Sequence, residues 1–415
     1  MFRALKHRNY RLFFYGQGIS LVGTWMQQIA LSWLVYRMTS SVFLLGVVGF
    51  SSQIATFILA PFAGVIADRH HRHRLLLITQ IAAMVQASIL TVLVFAHVIA
   101  VWHIIALSLL IGFINAFDLP VRQAFTVDMI NEREDLGNAI ALNSTMINMT
   151  RLIGPSIGGI LIAVAGEGMC FLLNALSYAA VIISLVMMNI PERPSRGKGK
   201  PIWKELKEGF HYTVDFMPIR SILILLSIAS LVSGGAQVLM PVFAKDIFHG
   251  GAQTLGFLMA SSGSGALIGA VYLAGRKNVL GLGKVIAAAS VLFGVGIFGF
   301  AAAPLMGLSM VLLLISGFGL MVQMAACSTV LQTIVDEDKR GRVMSLYTMS
   351  FMGTMPFGSL LAGALAHQWG APRVLMAGGL WAIAGALLFA SQLARIRELA
   401  RPVLIQKGIL TELTH

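Results

Sequence analysis

Apolar residues run through this chain in long stretches separated by short polar loops. A bilayer core of about 30 Å needs roughly 20 apolar residues in a helix rising 1.5 Å per residue. Twelve runs meet that length: 10–36, 43–67, 75–97, 102–125, 137–165, 168–189, 218–244, 252–275, 284–303, 305–331, 342–366 and 372–394. The pattern predicts an all-α membrane protein with twelve transmembrane helices. The longest polar interval, 191–217, holds three prolines in PERPSRGKGKP followed by the amphipathic IWKELKEGFHYTV, and it divides the spans six and six. The expected organisation is a six-helix bundle over 1–190, a cytoplasmic linker with an amphipathic helix over 191–217, a second bundle over 218–394 and a cytoplasmic tail over 395–415.

The two halves repeat at an offset of 204 residues. EDLGNAIALN lies over DKRGRVMSLY, Gly137 over Gly341, Leu142 over Leu346, Gly154 over Gly358, Gly159 over Gly363 and Gly166 over Gly370. Parallel repeats of this kind are the build of a transporter whose halves rock about a substrate site near the bilayer midplane.

Charge orients the chain. The net charge is +13, yet only 11% of residues are charged and 57% are hydrophobic, too few charges to dress a soluble surface. With the N-terminus inside, the inside segments FRALKHRNYR, DRHHRHR, the 120–136 loop, ERPSRGKGKPIWKELKEG, GRKNVLGLGK, DEDKRGR and the tail from Arg395 hold most of the 30 Lys and Arg; the outside loops hold Arg37, Lys245 and Arg373. The asymmetry places both termini in the cytoplasm. Basic residues split among seven short loops, with no nucleic-acid motif beside them, exclude a nucleic-acid partner. The first apolar run, about 27 residues, is too long for a cleaved signal peptide and is expected to stay as a span. Cys170 and Cys327 lie singly in apolar runs, and the histidines at 70, 71, 73 and 103 make no spaced ligand set, so neither a disulfide nor a metal is expected. With no Walker loop or nucleophile triad, no enzyme activity and no cofactor is expected.

The loop GVIADRHHRHR, between the second and third runs, resembles the signature of the major facilitator superfamily, roughly G-x-L-A-D-R-x-G-R-[RK]. It stands here as Gly64, Ile66, Ala67, Asp68, Arg69 and Arg72, with His71 in place of the second glycine. The resemblance covers essentially the whole chain and implies the major facilitator fold. It also implies a gating role for Gly64, Asp68, Arg69 and Arg72, with Asp68 set against the cytoplasmic start of span 11. Losing the glycine at 71 predicts an altered turn, since easy access to positive φ is lost. RLIGPSIGG in span 5, with Gly154, Pro155, Gly158 and Gly159, is similar to the antiporter motif of exporters, although Thr150 replaces an earlier glycine. GTWMQQIALSWLVYRMTSS and FDLPVRQAFTVDMI, leading to LGNAIALNSTMINMTRLIGP, look like the branch of siderophore exporters, of the enterobactin-exporter type, and macrolide-efflux proteins. The span-4 arginine that proton-coupled drug antiporters commonly carry is missing from ALSLLIGFINAF.

An ionised side chain inside a bilayer needs a reason. Asp118 in span 4 and Arg151 in span 5 are the two clear cases, and they form the expected proton-coupling pair. The alternatives are a fixed bridge beside the Pro120 kink, or Asp118 meeting Arg122. The resemblance implies that spans 1, 4, 7 and 10 line the cavity, which singles out Gln28, Asn115, Gln237 and Gln323 as hydrogen-bonding partners of a substrate; Met321 and Met324 would give a soft apolar wall. Such a cavity suits an amphipathic, mid-sized molecule. The expected function is export of siderophore-like or drug-like molecules across a bacterial cytoplasmic membrane, driven by the proton gradient, from a monomer. A lysolipid flippase and a non-transporting membrane sensor or scaffold are the alternatives.

Overall fold

The computed structural model describes residues 3–69, 71–130, 132–189, 212–276 and 281–407. Among these residues the chain is helical and has no strand. The first half contains α1 (Arg8–Thr39), α2 (Val42–Arg69), α3 (Arg72–Phe95), α4 (Val101–Asp128), α5 (Leu136–Ala165) and α6 (Glu167–Val186). The second contains α7 (Met217–Val242), α8 (Ala252–Ala274), α9 (Leu282–Ala302), α10 (Met306–Ile334), α11 (Glu337–Thr348), α12 (Met355–Trp369), α13 (Ala371–Ser391) and α14 (Leu393–Gln406). A π turn, Met349–Gly353, joins α11 to α12. Of the predicted linker at 191–217, residues 191–211 lie outside the described residues and 212–215 are helical.

Eleven spans among the described residues are long and apolar enough to cross a membrane, α11 and α12 counting together as one. The expected twelfth, α1, is long enough at 32 residues, but Gln17, Gln27 and Gln28 lower its hydropathy. Gln17 and Gln27 are buried and Gln28 is exposed; Gln27 is bonded to Gln86 and Asn174, whereas the Oε1 of Gln17 has no partner among the described residues.

The chain separates into two compact units. Unit 1 gathers Met1–Gly199 with Val238–Gly263, and unit 2 gathers Lys200–Gln237 with Ser264–His415. Unit 1 packs Tyr10, Phe13, Leu76, Phe125 and Leu185 at the end where the chain begins. Unit 2 packs Leu282, Ile286, Cys327, Leu331 and Phe389.

The duplication is visible in the backbone. Gly166 between α5 and α6 has φ 79° and ψ 171°, and Gly370 between α12 and α13 has φ 83° and ψ 147°. Each ends one helix and starts the next in a conformation that a β-carbon disfavours, which is why the same residue stands at both repeat positions. In unit 2 the tail returns to the bundle: Lys407 Nζ donates to the carbonyls of Thr333 (2.8 Å) and Val335 (2.6 Å). An ammonium there satisfies carbonyls that the end of α10 leaves open.

Between α2 and α3, His71 takes the N-cap position of α3 with φ −65° and ψ 108°. This is extended backbone open to any L-residue, so the missing glycine does not alter the turn in the way the sequence suggested. Arg72 Nη1 pairs with Asp128 Oδ2 at 3.2 Å, and His73 Nε2 donates to the Leu185 carbonyl at 2.9 Å. Gly64, Asp68 and Arg69 lie in the last turns of α2, and the side chains of Asp68 and Arg69 are outside what the structure describes.

Candidate functional site

Polar groups within unit 1 fall into three sets, and they differ in how fully they are satisfied. The first is a nest around Asp118, which is 3% exposed. Arg122, one turn along α4, brings Nη2 to 2.7 Å from Oδ2. From α3, Thr79 Oγ1 donates to Oδ1 at 2.9 Å and Gln80 Nε2 donates to the same oxygen at 2.7 Å. Both carboxylate oxygens are occupied, so the buried charge is paired and hydrogen-bonded as a low-dielectric interior demands. Pro120, inside α4, lacks an N–H and leaves a carbonyl one turn back without its usual donor.

The second set is neutral. Gln27 Nε2 donates to Gln86 Oε1 (3.1 Å), Asn174 Nδ2 donates to Gln27 Oε1 (2.8 Å), and Gln86 Nε2 donates to the Leu107 carbonyl (3.2 Å). These bonds tie α1, α3, α4 and α6 together. A third set occupies the end of α1. Arg37 grips Glu167 with Nε–Oε1 at 2.7 Å and Nη2–Oε2 at 3.2 Å. Beside it, the Tyr36 hydroxyl donates to Asp246, and Lys245 Nζ stands 5.2 Å from the Tyr36 ring centre.

Arg151 belongs to none of these. It is the sixteenth residue of the 30-residue α5, about 22 Å from the helix start at 1.5 Å per residue. It is half-buried, and its guanidinium carbon lies 5.8 Å from the centre of the Trp25 indole. No carboxylate pairs with it among the described residues. The expected Asp118–Arg151 pair therefore does not form in this structure, and Asp118 takes Arg122, one of the alternatives. An arginine at the centre of a spanning helix costs about 2.5–3.5 kcal/mol on insertion scales. One aromatic face returns about 0.5–2 kcal/mol. The cation is left under-compensated.

The span-5 motif explains how this geometry arises. Gly154, one turn beyond Arg151, leaves room for the Trp25 side chain on α5. A methyl at Gly158 would come 2.7 Å from Ile29 Cγ2, so this face of α5 presses on α1. The other face presses on α8: a methyl at Gly159 would stand 2.6 Å from the Ala252 carbonyl oxygen, and one at Gly256 would stand 2.6 Å from that of Pro155. Further along α8, a methyl at Gly263 would stand 3.0 Å from the Arg151 carbonyl oxygen. Small residues let these backbones approach, as helix packing in lipid requires.

The remaining predicted positions divide. Gln28 is exposed, and Asn115 and Gln237 are half-buried; none of the three bonds to another described residue, which leaves their amides open to a ligand. Gln323 is fully buried and donates Nε2 to the Leu225 carbonyl at 3.4 Å, while its Oε1 has no partner among the described residues. Met321 packs beside Gly269 of α8. The Met324 carbonyl accepts the Tyr347 hydroxyl at 3.1 Å. Trp25, Gln86, Thr79, Gln80 and the Tyr36–Asp246 contact were not predicted. Thr79, Gln80 and Gln86 stand out within the apolar LLLITQIAAMVQASIL, and the seven-residue spacing of Thr79 and Gln86 puts those two on one face of α3.

Membrane-length helices built as a tandem repeat, holding buried polar nests and one under-compensated cation, are the architecture of a membrane transporter. The chain belongs to the transmembrane secretion effector family of the major facilitator superfamily, whose model matches residues 1–404. It is 29% identical over 387 residues to a staphyloferrin A transporter of Staphylococcus aureus, covering 91% of this chain and 95% of that one. It is 26% identical over 361 residues to an enterobactin exporter of Escherichia coli, covering 86% and 85%. A macrolide efflux protein A of Streptococcus pyogenes is 22% identical over 373 residues, covering 88% and 92%. Among solved structures, a POT family transporter in complex with a thioalcohol-conjugated peptide matches with a TM-score of 0.76 at 11% identity, covering 94% of this chain and 96% of that one. The nucleoside transporter NupG matches with a TM-score of 0.71 at 15% identity, covering 93% and 99%. The protein is a multi-pass transporter of the bacterial inner membrane, in a family that is not enzymatic and needs no cofactor.

Proposed function

We propose that this protein exports amphipathic small molecules of the siderophore or macrolide kind by alternating access, in exchange for protons. The whole-length similarity to a siderophore transporter, a siderophore exporter and a macrolide efflux protein carries this reading. The open amides of Gln28, Asn115 and Gln237 support it, because a substrate with polar groups needs partners that the helices have not already used. We assign proton exchange to Asp118. Its carboxylate is held by Arg122, Thr79 and Gln80; loosening that nest and admitting water would free it to take a proton.

Everted membrane vesicles test this directly. Uptake of staphyloferrin A, enterobactin or erythromycin is expected to release protons from the lumen and to stop when the pH gradient is collapsed. Asp118→Asn is expected to abolish the proton release. Uptake that survives both treatments would refute proton coupling through this acid while leaving export standing.

Lysolipid movement is the second reading, favoured by one feature of unit 2. An apolar groove of about 180 Å³ is lined by Leu231, Gly235, Leu361, Trp369 and Trp381. It has the lining for an acyl chain, and lysolipid transfer between leaflets would reveal that use.

A further inference from the structure

Resting on the export reading, we infer that Arg151 and Trp25 form an anion subsite: the guanidinium takes an acidic group of the substrate, a carboxylate first, while the indole flanks it. The buried carboxylates Asp118 and Glu167 have their partners, but Arg151 has only an aromatic face. Arginine keeps its proton in essentially every protein setting and presents a planar fork of donors matched to a carboxylate. No described residue accepts from the N–H groups of Arg151, which leaves them to a ligand. The site is held from two sides, by α1, with Trp25 seated over Gly154 and Ile29 against Gly158, and by α8 against the Arg151 backbone. Such a setting pre-orients the cation, so a ligand would lose little freedom in ordering it. Midway along α5, the guanidinium is also far from either end of the helix, where lipid headgroups sit. The predicted ligand is therefore a dissolved amphipathic acid rather than an anionic lipid.

The probes are dansyl-glutamate and its neutral dimethyl ester, a matched pair that differs in charge. Binding is read by energy transfer from tryptophan to dansyl on the full-length protein in nanodiscs of phosphatidylcholine, which excludes anionic lipid. The parent is expected to bind the acid at least tenfold more tightly than the ester. Arg151→Gln is expected to erase that preference while changing ester affinity less than twofold, and Arg151→Lys to retain part of it. Equal binding of acid and ester by the parent, or binding of neither, overturns the subsite without any variant. An equal loss of both ligands in a folded Arg151→Gln protein also overturns it, since that is the mark of a merely structural arginine. If the acid preference appears but everted vesicles take up neither compound, the subsite stands and the export reading fails. If vesicles take up acid and ester alike, the reverse holds.

Discussion

Arg151 and Met355 stand at the same position in the two repeats, 204 residues apart, and each is followed three residues later by a glycine, Gly154 or Gly358. The glycines do the same thing in both. Gly154 packs against Val22 and Trp25 of α1, and Gly358 packs against Leu231 of α7. The residues before them do not: one is an arginine facing an indole, the other a half-buried thioether. Helix-to-helix contact was conserved through the duplication because backbones in lipid need small residues to meet. The residues beside the glycines diverged: Met355 itself lies against Gly234 of α7, while the Arg151 side chain turns to an indole.

Four substitutions test how far this contrast goes. The largest effect is expected away from the packing frame, at Asp118→Leu, which strands Arg122 and takes the acceptor from Gln80, while Thr79 keeps the Leu76 carbonyl. Removing one partner of a buried pair costs about 3–5 kcal/mol, and detergent-solubilised protein should unfold at markedly lower temperature. Next come Gly154→Leu and Gly358→Leu, each forcing a side chain into a closed contact at about 1–3 kcal/mol. Similar drops in unfolding temperature are expected for the two, and a loss confined to one repeat would break the equivalence. The smallest effect belongs to Arg151→Met, which gives the first repeat the residue of the second. Thermal stability is expected to hold or rise, by about 1 kcal/mol or less, because an under-compensated cation is removed. A loss as large as that of Asp118→Leu would show Arg151 to be part of the scaffold.

Much of the fold was legible because the bilayer imposes one strong rule, a minimum apolar length, and the helices begin and end within a few residues of the apolar runs. α1 was read as a span from its length, and the partners of Gln27, Gln86 and Asn174, emerge only from the structure. The misreadings came from interactions that the rule ignores. The pairing of Asp118 with Arg151 was plausible from depth alone. Depth does not reveal that Arg122, one helical turn away, is already in reach. His71 looked like a defect because a signature glycine was missing, yet the backbone there has φ −65° and needs none. Trp25 was overlooked because a tryptophan in an apolar run carries no mark; its meaning comes from the glycine opposite it.

The π turn at Met349–Gly353 sets a limit on reading one repeat from the other. A wide turn accommodates an extra residue per circuit, so whatever follows it is turned by about 100° compared with an unbroken α-helix. Residues 145–149 of α5 are regular helix, and the sequences align there without a gap. The repeats thus keep step along the axis while slipping in phase, like two identical screws of which one has a skipped thread. Beyond the slip, Arg151 and Met355 share a bearing with their glycines. Before it, Asn143 donates to Thr126 of α4 and its counterpart Tyr347 donates to the Met324 carbonyl of α10, the matching helix of the other repeat. A gap-free alignment of the halves is two separate correspondences, and a role carried from one half to the other has to name the side of the slip on which it lies.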